Sequence, residues 1–183
     1  MRKYTHAGRN PKHRKEKVTH MPEMNASTAR VDKTEYYLNI AKTVAQRSTC
    51  LRRKYGSIIV KNDEIIATGY NGAPRGEPNC LDLGFCERER LRIPKGTRYE
   101  LCRSVHGEAN AIISAARRDM IGATLYIVGI EADGSYANPE PCMMCRRFIV
   151  NAGITRCIGM YPGKGPDEID LRPNGLDIDI PES

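Results

Sequence analysis

One histidine and two cysteines constrain this chain more tightly than any other feature. His106-Gly-Glu108 opens a stretch rich in helix formers, and Pro141-Cys-Met-Met-Cys145 opens another. Cys142 and Cys145 are three residues apart, so on a helix they share a face and both sulfurs can reach one metal ion. The positive end of the helix dipole favours their thiolate forms. One imidazole and two thiolates leave a fourth tetrahedral position open, the arrangement of a catalytic zinc rather than a closed structural one. The three ligands can meet only if two helix starts are brought to the same end of a sheet, which parallel strands joined by crossover helices achieve.

The rest of the pattern agrees with that demand. Between Thr34 and Ser48, the positions Tyr37, Ile40, Ala41, Val44 and Ala45 recur at helical spacing and predict an amphipathic helix. Two β-branched runs flank Asn62-Asp63 between Gly56 and Gly69 and predict a hairpin. Residues 71–104, rich in Gly, Pro and Cys, read as a long ordered loop, which needs something to tie it down. Residues 106–118 predict a helix with Ser104 placed to cap it. Thr124–Val128 reads as a buried strand and 130–140 as a surface loop. Cys142–Asn151 reads as a helix stopped by Gly153, and Thr155–Met160 as another strand. The last twenty residues, rich in Pro and Asp, carry no assignable pattern. The order helix, hairpin, helix, strand, helix, strand predicts an α/β fold of three layers, a mixed central sheet flanked by helices.

With 183 residues the chain has room for one such domain, expected over 31–183, behind a basic segment 1–30 expected to be disordered. Residues 1–20 hold seven Lys/Arg and one Glu, whereas 21–183 hold 22 basic and 21 acidic side chains. Most of the +7 net charge therefore lies in the tail, which reads as a solvated extension rather than a nucleic-acid-binding arm. The near-neutral body lacks the excess charge that a long phosphate backbone would want. No apolar run approaches the eighteen or so residues of a membrane span. Met1-Arg-Lys-Tyr-Thr-His leads into further charge, so a cytoplasmic protein is expected. Seven cysteines, an odd number, argue against a disulfide framework and for metal ligation. His106 is the only histidine beyond residue 20.

A Cys-x-x-Cys pair alone is compatible with a zinc knuckle or a redox pair. Joined to Pro141 and to His106-x-Glu108, it becomes the signature of zinc nucleobase deaminases. Zinc lowers the pKa of a bound water from about 15.7 to about 7. Glu108, two residues past a ligand, is too near in chain to be a comfortable fourth ligand. It is placed instead to take the water's proton, deliver it to a ring nitrogen and protonate the departing ammonia.

Beyond that signature, the chain from Cys50 onward resembles the deoxycytidylate deaminase family of the cytidine-deaminase-like fold. The resemblance is carried by Ser48-Thr-Cys50, Gly69-Tyr-Asn-Gly-Ala-Pro-Arg-Gly76, Val105-His-Gly-Glu-Ala-Asn-Ala-Ile112, Ala115-Ala-Arg117, Thr124-Leu-Tyr126 and Pro141-Cys-Met-Met-Cys145. It implies hydrolysis of deoxycytidine monophosphate (dCMP) to deoxyuridine monophosphate (dUMP) and ammonia, supplying thymidylate synthesis. Glu108 would be the catalytic acid–base, and His106, Cys142 and Cys145 the zinc ligands. Asn71 would hydrogen-bond the deoxyribose, although an Asn-Gly pair is also a turn signal. Tyr70, Gly72 and Arg117 would belong to an allosteric deoxynucleoside triphosphate site, bound with Mg2+, activated by dCTP and inhibited by dTTP; an arginine at a helix end also interacts favourably with the helix dipole. A homo-oligomer, dimer or hexamer, is implied too. So is a second, structural zinc on Cys50, Cys80, Cys86 and Cys102, the alternative being separate buried thiols.

The chain departs from the family in two places. Gly107 stands where the family commonly has alanine, and residues 130–140 are inserted before Pro141-Cys142. Arg75, Arg103 and Lys164 are candidates for gripping a 5′-phosphate. Two other readings stay open: a related deaminase acting on cytidine, transfer-RNA adenosine or a riboflavin-pathway pyrimidine, and a non-catalytic zinc protein that holds nucleic acid.

Overall fold

The computed structural model describes residues 30–94 and 96–171. The expected disordered tail and most of the unassigned C-terminal stretch lie outside the described residues. Asp32 opens the first helix, α1 (Lys33–Ala45), where its carboxylate accepts the backbone N–H of Thr34 at 2.8 Å. β1 (Arg53–Lys61) and β2 (Glu64–Tyr70) form the expected hairpin. Asn62 and Asp63 take φ of 50° and 69°, so both turn residues are left-handed, as a two-residue hairpin turn requires. The Tyr37 hydroxyl donates to the Asp63 carboxylate at 2.7 Å and ties α1 to that turn.

The long loop is more structured than its composition suggests. It holds two short helices, α2 (Cys80–Leu83) and α3 (Glu87–Arg90), and a single 3-10 turn at Tyr99–Leu101. Asn79 and Asp82 close a reciprocal capping box around the start of α2. Gly72 and Val105 form an isolated antiparallel bridge that joins the two ends of the loop. The buried Arg88 donates to the carbonyls of Pro94 and Arg98 at 2.9 and 2.7 Å.

The helix expected over 106–118 is broken in two, α4 (Gly107–Ile113) and α5 (Arg117–Met120). His106, not Ser104, holds the N-cap position of α4. Ser114 donates back to the Asn110 carbonyl at 2.8 Å, and Ala116 turns to an extended ψ of 140°, which ends the helix despite uniformly helix-forming residues. β3 (Thr124–Glu131) runs three residues further than expected. The predicted surface loop after it turns back as a second hairpin, with β4 (Tyr136–Ala137) paired antiparallel to β3. α6 (Met143–Ala152) ends at Gly153, whose φ of 85° makes the left-handed stop. β5 (Arg156–Tyr161) follows, then β6 (Gly165–Glu168), which the sequence did not announce.

The sheet order is β2-β1-β3-β5-β6, with β4 beside β3. Only the β3–β5 pair among these is parallel, and α6 makes its crossover. Alternate strand residues feed two cores. Ile58, Val60, Tyr126 and Val128 pack with Tyr37, Leu38 and Ala41 of α1. Ile59, Leu125, Ile127 and Cys157 pack with Ala111 of α4 and Ile149 of α6. This is the three-layer α/β arrangement expected.

Two glycines set how closely the helices lie on the hairpin. A Cβ on Gly56 would stand 2.1 Å from the Ala41 carbonyl oxygen, and one on Gly69 would stand 2.2 Å from that of Gly107. α1 and α4 therefore rest backbone against backbone on opposite faces. Among the described residues, no helix is long and apolar enough to cross a membrane.

Candidate active site

Register places the site at one end of the sheet. Gly56 faces Tyr70 and Arg53 faces Glu131, so β2 and β3 finish where β1 begins. α4 and α6 both start at this end. His106 and Cys142 are their N-cap residues, in extended backbone, and neither side chain makes a capping hydrogen bond. The imidazole and the thiol are thereby left for a ligand. Cys145 follows one turn into α6 and is buried.

His106 Nδ1 lies 3.5 Å from both Cys142 Sγ and Cys145 Sγ, and the three donor atoms all lie within 4.8 Å of one another. Zinc bonds of about 2.0–2.1 Å to nitrogen and about 2.3 Å to sulfur, at tetrahedral angles, require an N–S separation of about 3.6 Å. The triad fits that ion. Among the described residues it is the one group of His, Cys, Asp or Glu gathered this tightly. The Cys145 thiol, donating to Cys142, holds Cys142 well below the usual thiol range, and the same contact together with burial pushes Cys145 up. The Cys142 sulfur raises His106, and burial opposes it.

Glu108, 5 % exposed, sits in the first turn of α4 beside the triad. Burial lifts its carboxyl above the ordinary range, and the His106 charge opposes the lift. His106, Glu108 and Cys142 line a cavity of about 130 Å3. That is close to the roughly 150 Å3 cavity that accommodates benzene in another protein, so it has the scale of one six-membered ring. Tyr55, Asn71 and Tyr99 also line it. The Tyr99 ring meets His106 edge-on at 5.1 Å, and Arg88 lies 4.8 Å over Tyr99.

Asn71 reaches this cavity, but it is not a turn residue. Its carbonyl oxygen accepts from Ser48 Oγ at 2.6 Å and from the Tyr55 N–H at 2.7 Å, and its amide donates to the Arg53 carbonyl at 2.9 Å. It braces the segment between α1 and β1. Tyr70 and Gly72 sit where β2 runs into the Val105 bridge. Arg117 is not at the end of a long helix: it begins α5, is exposed, and donates to the Asn151 carbonyl at 3.0 Å. No described interaction joins it to Tyr70 or Gly72.

The four remaining candidate ligands come into one neighbourhood. Burial raises the Cys80 thiol, and the nearby Cys50, Cys86 and Cys102 add to the rise, yet no three of these sulfurs are as closely gathered as the His106 triad. Cys50 and Cys102 also line the cavity. Cys157 is a buried core thiol on β5, pushed above the usual range by burial.

Three cavity-lining arginines, Arg52, Arg53 and Arg88, were not among the phosphate candidates. Arg53 Nε is held by Glu131 at 2.7 Å, and Arg52 Nε by Glu89 at 3.1 Å. Arg103 instead donates to the Pro78 carbonyl at 3.4 Å, Lys164 pairs with Asp167, and Arg75 is exposed. A basic pair just ahead of a predicted strand, two residues from a candidate metal ligand, was the available signal for Arg52 and Arg53. Arg88 had none, because only the folded loop carries it there.

Residues 31–160 match the family described as "Cytidine and deoxycytidylate deaminase zinc-binding region". The chain is 41 % identical over 140 residues to a deoxycytidylate deaminase of Mycobacterium phage D29, covering 73 % of this chain and 97 % of that one. It is 31 % identical over 143 residues to a deoxycytidylate deaminase of Schizosaccharomyces pombe, covering 78 % of this chain and 41 % of the longer yeast protein. Among solved structures, the apo dCMP deaminase of cyanophage S-TIM5 matches with a TM-score of 0.50 and 27 % identity, over 72 % of this chain and 85 % of that one. With a metal triad, a buried glutamate and a three-layer sheet in agreement with these matches, the chain belongs to the cytidine and deoxycytidylate deaminase family.

Proposed function

We propose that this chain hydrolyses dCMP to dUMP and ammonia. One observation carries the reading: a carboxylate, Glu108, is buried beside a three-ligand metal site in a ring-sized cavity whose lining includes three arginines. Zinc held by His106, Cys142 and Cys145 would supply an acidified water at neutral pH. Glu108 would take a proton from water and pass it to N3 of cytosine as C4 is attacked, then carry the proton of the new C4 hydroxyl to the amine as the C4–N bond breaks. Asn71 would meet the deoxyribose.

The arginines favour a nucleotide over a nucleoside, because guanidinium groups suit a phosphate dianion and have no role toward a neutral sugar end. The phage and yeast relatives named as deoxycytidylate deaminases point the same way. Ammonia release should be much faster with dCMP than with deoxycytidine, cytidine or an RNA stem-loop; equal turnover of deoxycytidine would overturn the choice of substrate. Arg52→Gln should lower kcat/KM for dCMP by about tenfold or more, as expected for loss of a charge-assisted hydrogen bond of about 1.5–3 kcal/mol. The same change should leave the slow reaction with deoxycytidine unaltered.

The cysteines around Cys80 support a second reading, a structural zinc that draws Cys50, Cys80, Cys86 and Cys102 together and orders the loop over the cavity. Elemental analysis should then find two zinc ions per chain, and one in Cys80→Ser. A count of one in the unaltered protein would remove this ion from the proposal.

A further inference from the structure

The metal-binding turn is held from outside by a charged side chain that the reaction does not use. Arg146 lies on α6 immediately after Cys145 and is 8 % exposed. Its backbone N–H donates to the Cys142 carbonyl at 2.9 Å, and its Nε donates to the Pro141 carbonyl at 3.2 Å. One terminal nitrogen donates to the Asp170 carbonyl and the other to the Glu140 carboxylate. The Tyr161 hydroxyl at the end of β5 donates to the second oxygen of that carboxylate, at 2.5 Å.

The approach to the turn is pinned on both sides of this group. Pro139 presses on β5 at Gly159, where a Cβ would stand 2.5 Å from the proline ring. Beyond β6, the N–H of the buried Ile169 donates to the Cys157 carbonyl at 2.8 Å, which sets the position of the Asp170 carbonyl next to it. From its place on α6, one guanidinium therefore joins the helix to two other stretches, the Glu140-Pro141 entry and the segment after β6. A planar fork with donors on three nitrogens in fixed directions reaches three separated acceptors, whereas a lysine ammonium gathers its donors on one nitrogen at the end of a flexible stem.

From this geometry we infer that Arg146 is a positioning residue for the metal centre: it latches the Pro141-Cys142 turn to the segment after β6, and the hold on zinc depends on that latch. The inference rests on the reading of His106, Cys142 and Cys145 as zinc ligands. The Cys142 thiol is on an N-cap residue whose side chain makes no capping hydrogen bond, so its place depends on the backbone on either side of it. Releasing that backbone adds conformational freedom that metal binding must remove again. Outer groups that orient metal ligands typically account for 10–100-fold in metal affinity.

The test is zinc release from the zinc-loaded full chain, followed with a chromophoric chelator, together with the visible spectrum of the cobalt-substituted protein. Arg146→Met should release zinc about 10–100-fold faster than the unaltered protein and shift the cobalt–thiolate bands. Arg146→Lys should recover part of the loss, and Glu140→Gln should show a smaller acceleration. A folded Arg146→Met protein with zinc release within twofold of the unaltered rate overturns the latch, whatever its stability. If that variant does not fold, Glu140→Gln and Tyr161→Phe decide, and unchanged release in both overturns it. His106→Ala separates the two claims. Zinc held as tightly without His106 sinks the metal-site reading itself, whereas zinc lost without His106 but kept without Arg146 sinks only the latch.

Discussion

Glu108→Gln should keep its zinc and lose at least about a thousandfold in kcat on dCMP, within the range that general acid–base catalysis contributes. Glutamine has nearly the volume of glutamate, so the buried niche beside the triad stays filled, and the three donor atoms are on other residues. What disappears is a group that can carry a proton between water, ring nitrogen and departing amine. KM should change little, because the carboxylate handles protons rather than anchoring the nucleotide. Steady-state kinetics with elemental analysis of the same preparation separates the outcomes. Zinc loss accompanying inactivity would make Glu108 a structural support of the triad, and activity within tenfold of the unaltered enzyme would assign the proton transfers elsewhere.

Gly56→Ala and Gly69→Ala should each destabilise the protein by about 3 kcal/mol or more, the upper end of what overpacking costs. At both positions the added methyl would meet main-chain atoms of a helix at 2.1–2.2 Å, and main chain cannot rotate aside as a side chain can. The sheet would have to part from α1 or α4. For a domain of this size the midpoint should fall by roughly 6–12 °C in a thermal melt. Gly107→Ala is the internal control. There the new methyl comes no closer than 3.3 Å to a carbonyl oxygen, and the better helix propensity of alanine, about 1 kcal/mol, offsets the tight fit. Its melt should stay close to that of the unaltered protein, which accords with alanine being common at this position in the family. Equal losses at all three glycines would mean that the close approaches are not what sets the helix positions.

The gathering of His106, Cys142 and Cys145 was legible because ligation demands particular donor atoms at particular spacings, and helix starts supply those spacings locally. The α1 helix and the first hairpin were legible for a similar reason, since periodicity and an Asn-Asp turn are written within fifteen residues. The break between α4 and α5 was not, because every residue from Glu108 to Arg118 tolerates a helix and the break depends on a serine turning back on its own backbone. β4 and β6 are short edge pieces; β6 alternates half-buried and exposed positions and contains Pro166, so it carries no apolar run. The bracing contacts of Asn71 were not legible, because its partners Ser48, Arg53 and Tyr55 precede it by 16 to 23 residues. Arg88 reaches the cavity only through the fold of the whole loop. Local chemistry was thus readable, and contacts that depend on distant chain returning to the same place were not.

The inserted hairpin has a consequence for how specificity could change in a protein of this design. Its stem is sewn to the sheet: Gly129 pairs with Ala137, the Tyr55 hydroxyl donates to the Asn138 carbonyl at 3.1 Å, and Lys42 donates to the Tyr136 hydroxyl at 3.3 Å. Its tip, Ala132–Ser135, is exposed and is not among the residues that line the cavity. Residues there can be exchanged or lengthened while the anchored stem shields the chemistry from the disturbance. Lineages, and engineers, thus have a graft point close to the cavity where new recognition can be tried without reinventing the metal centre.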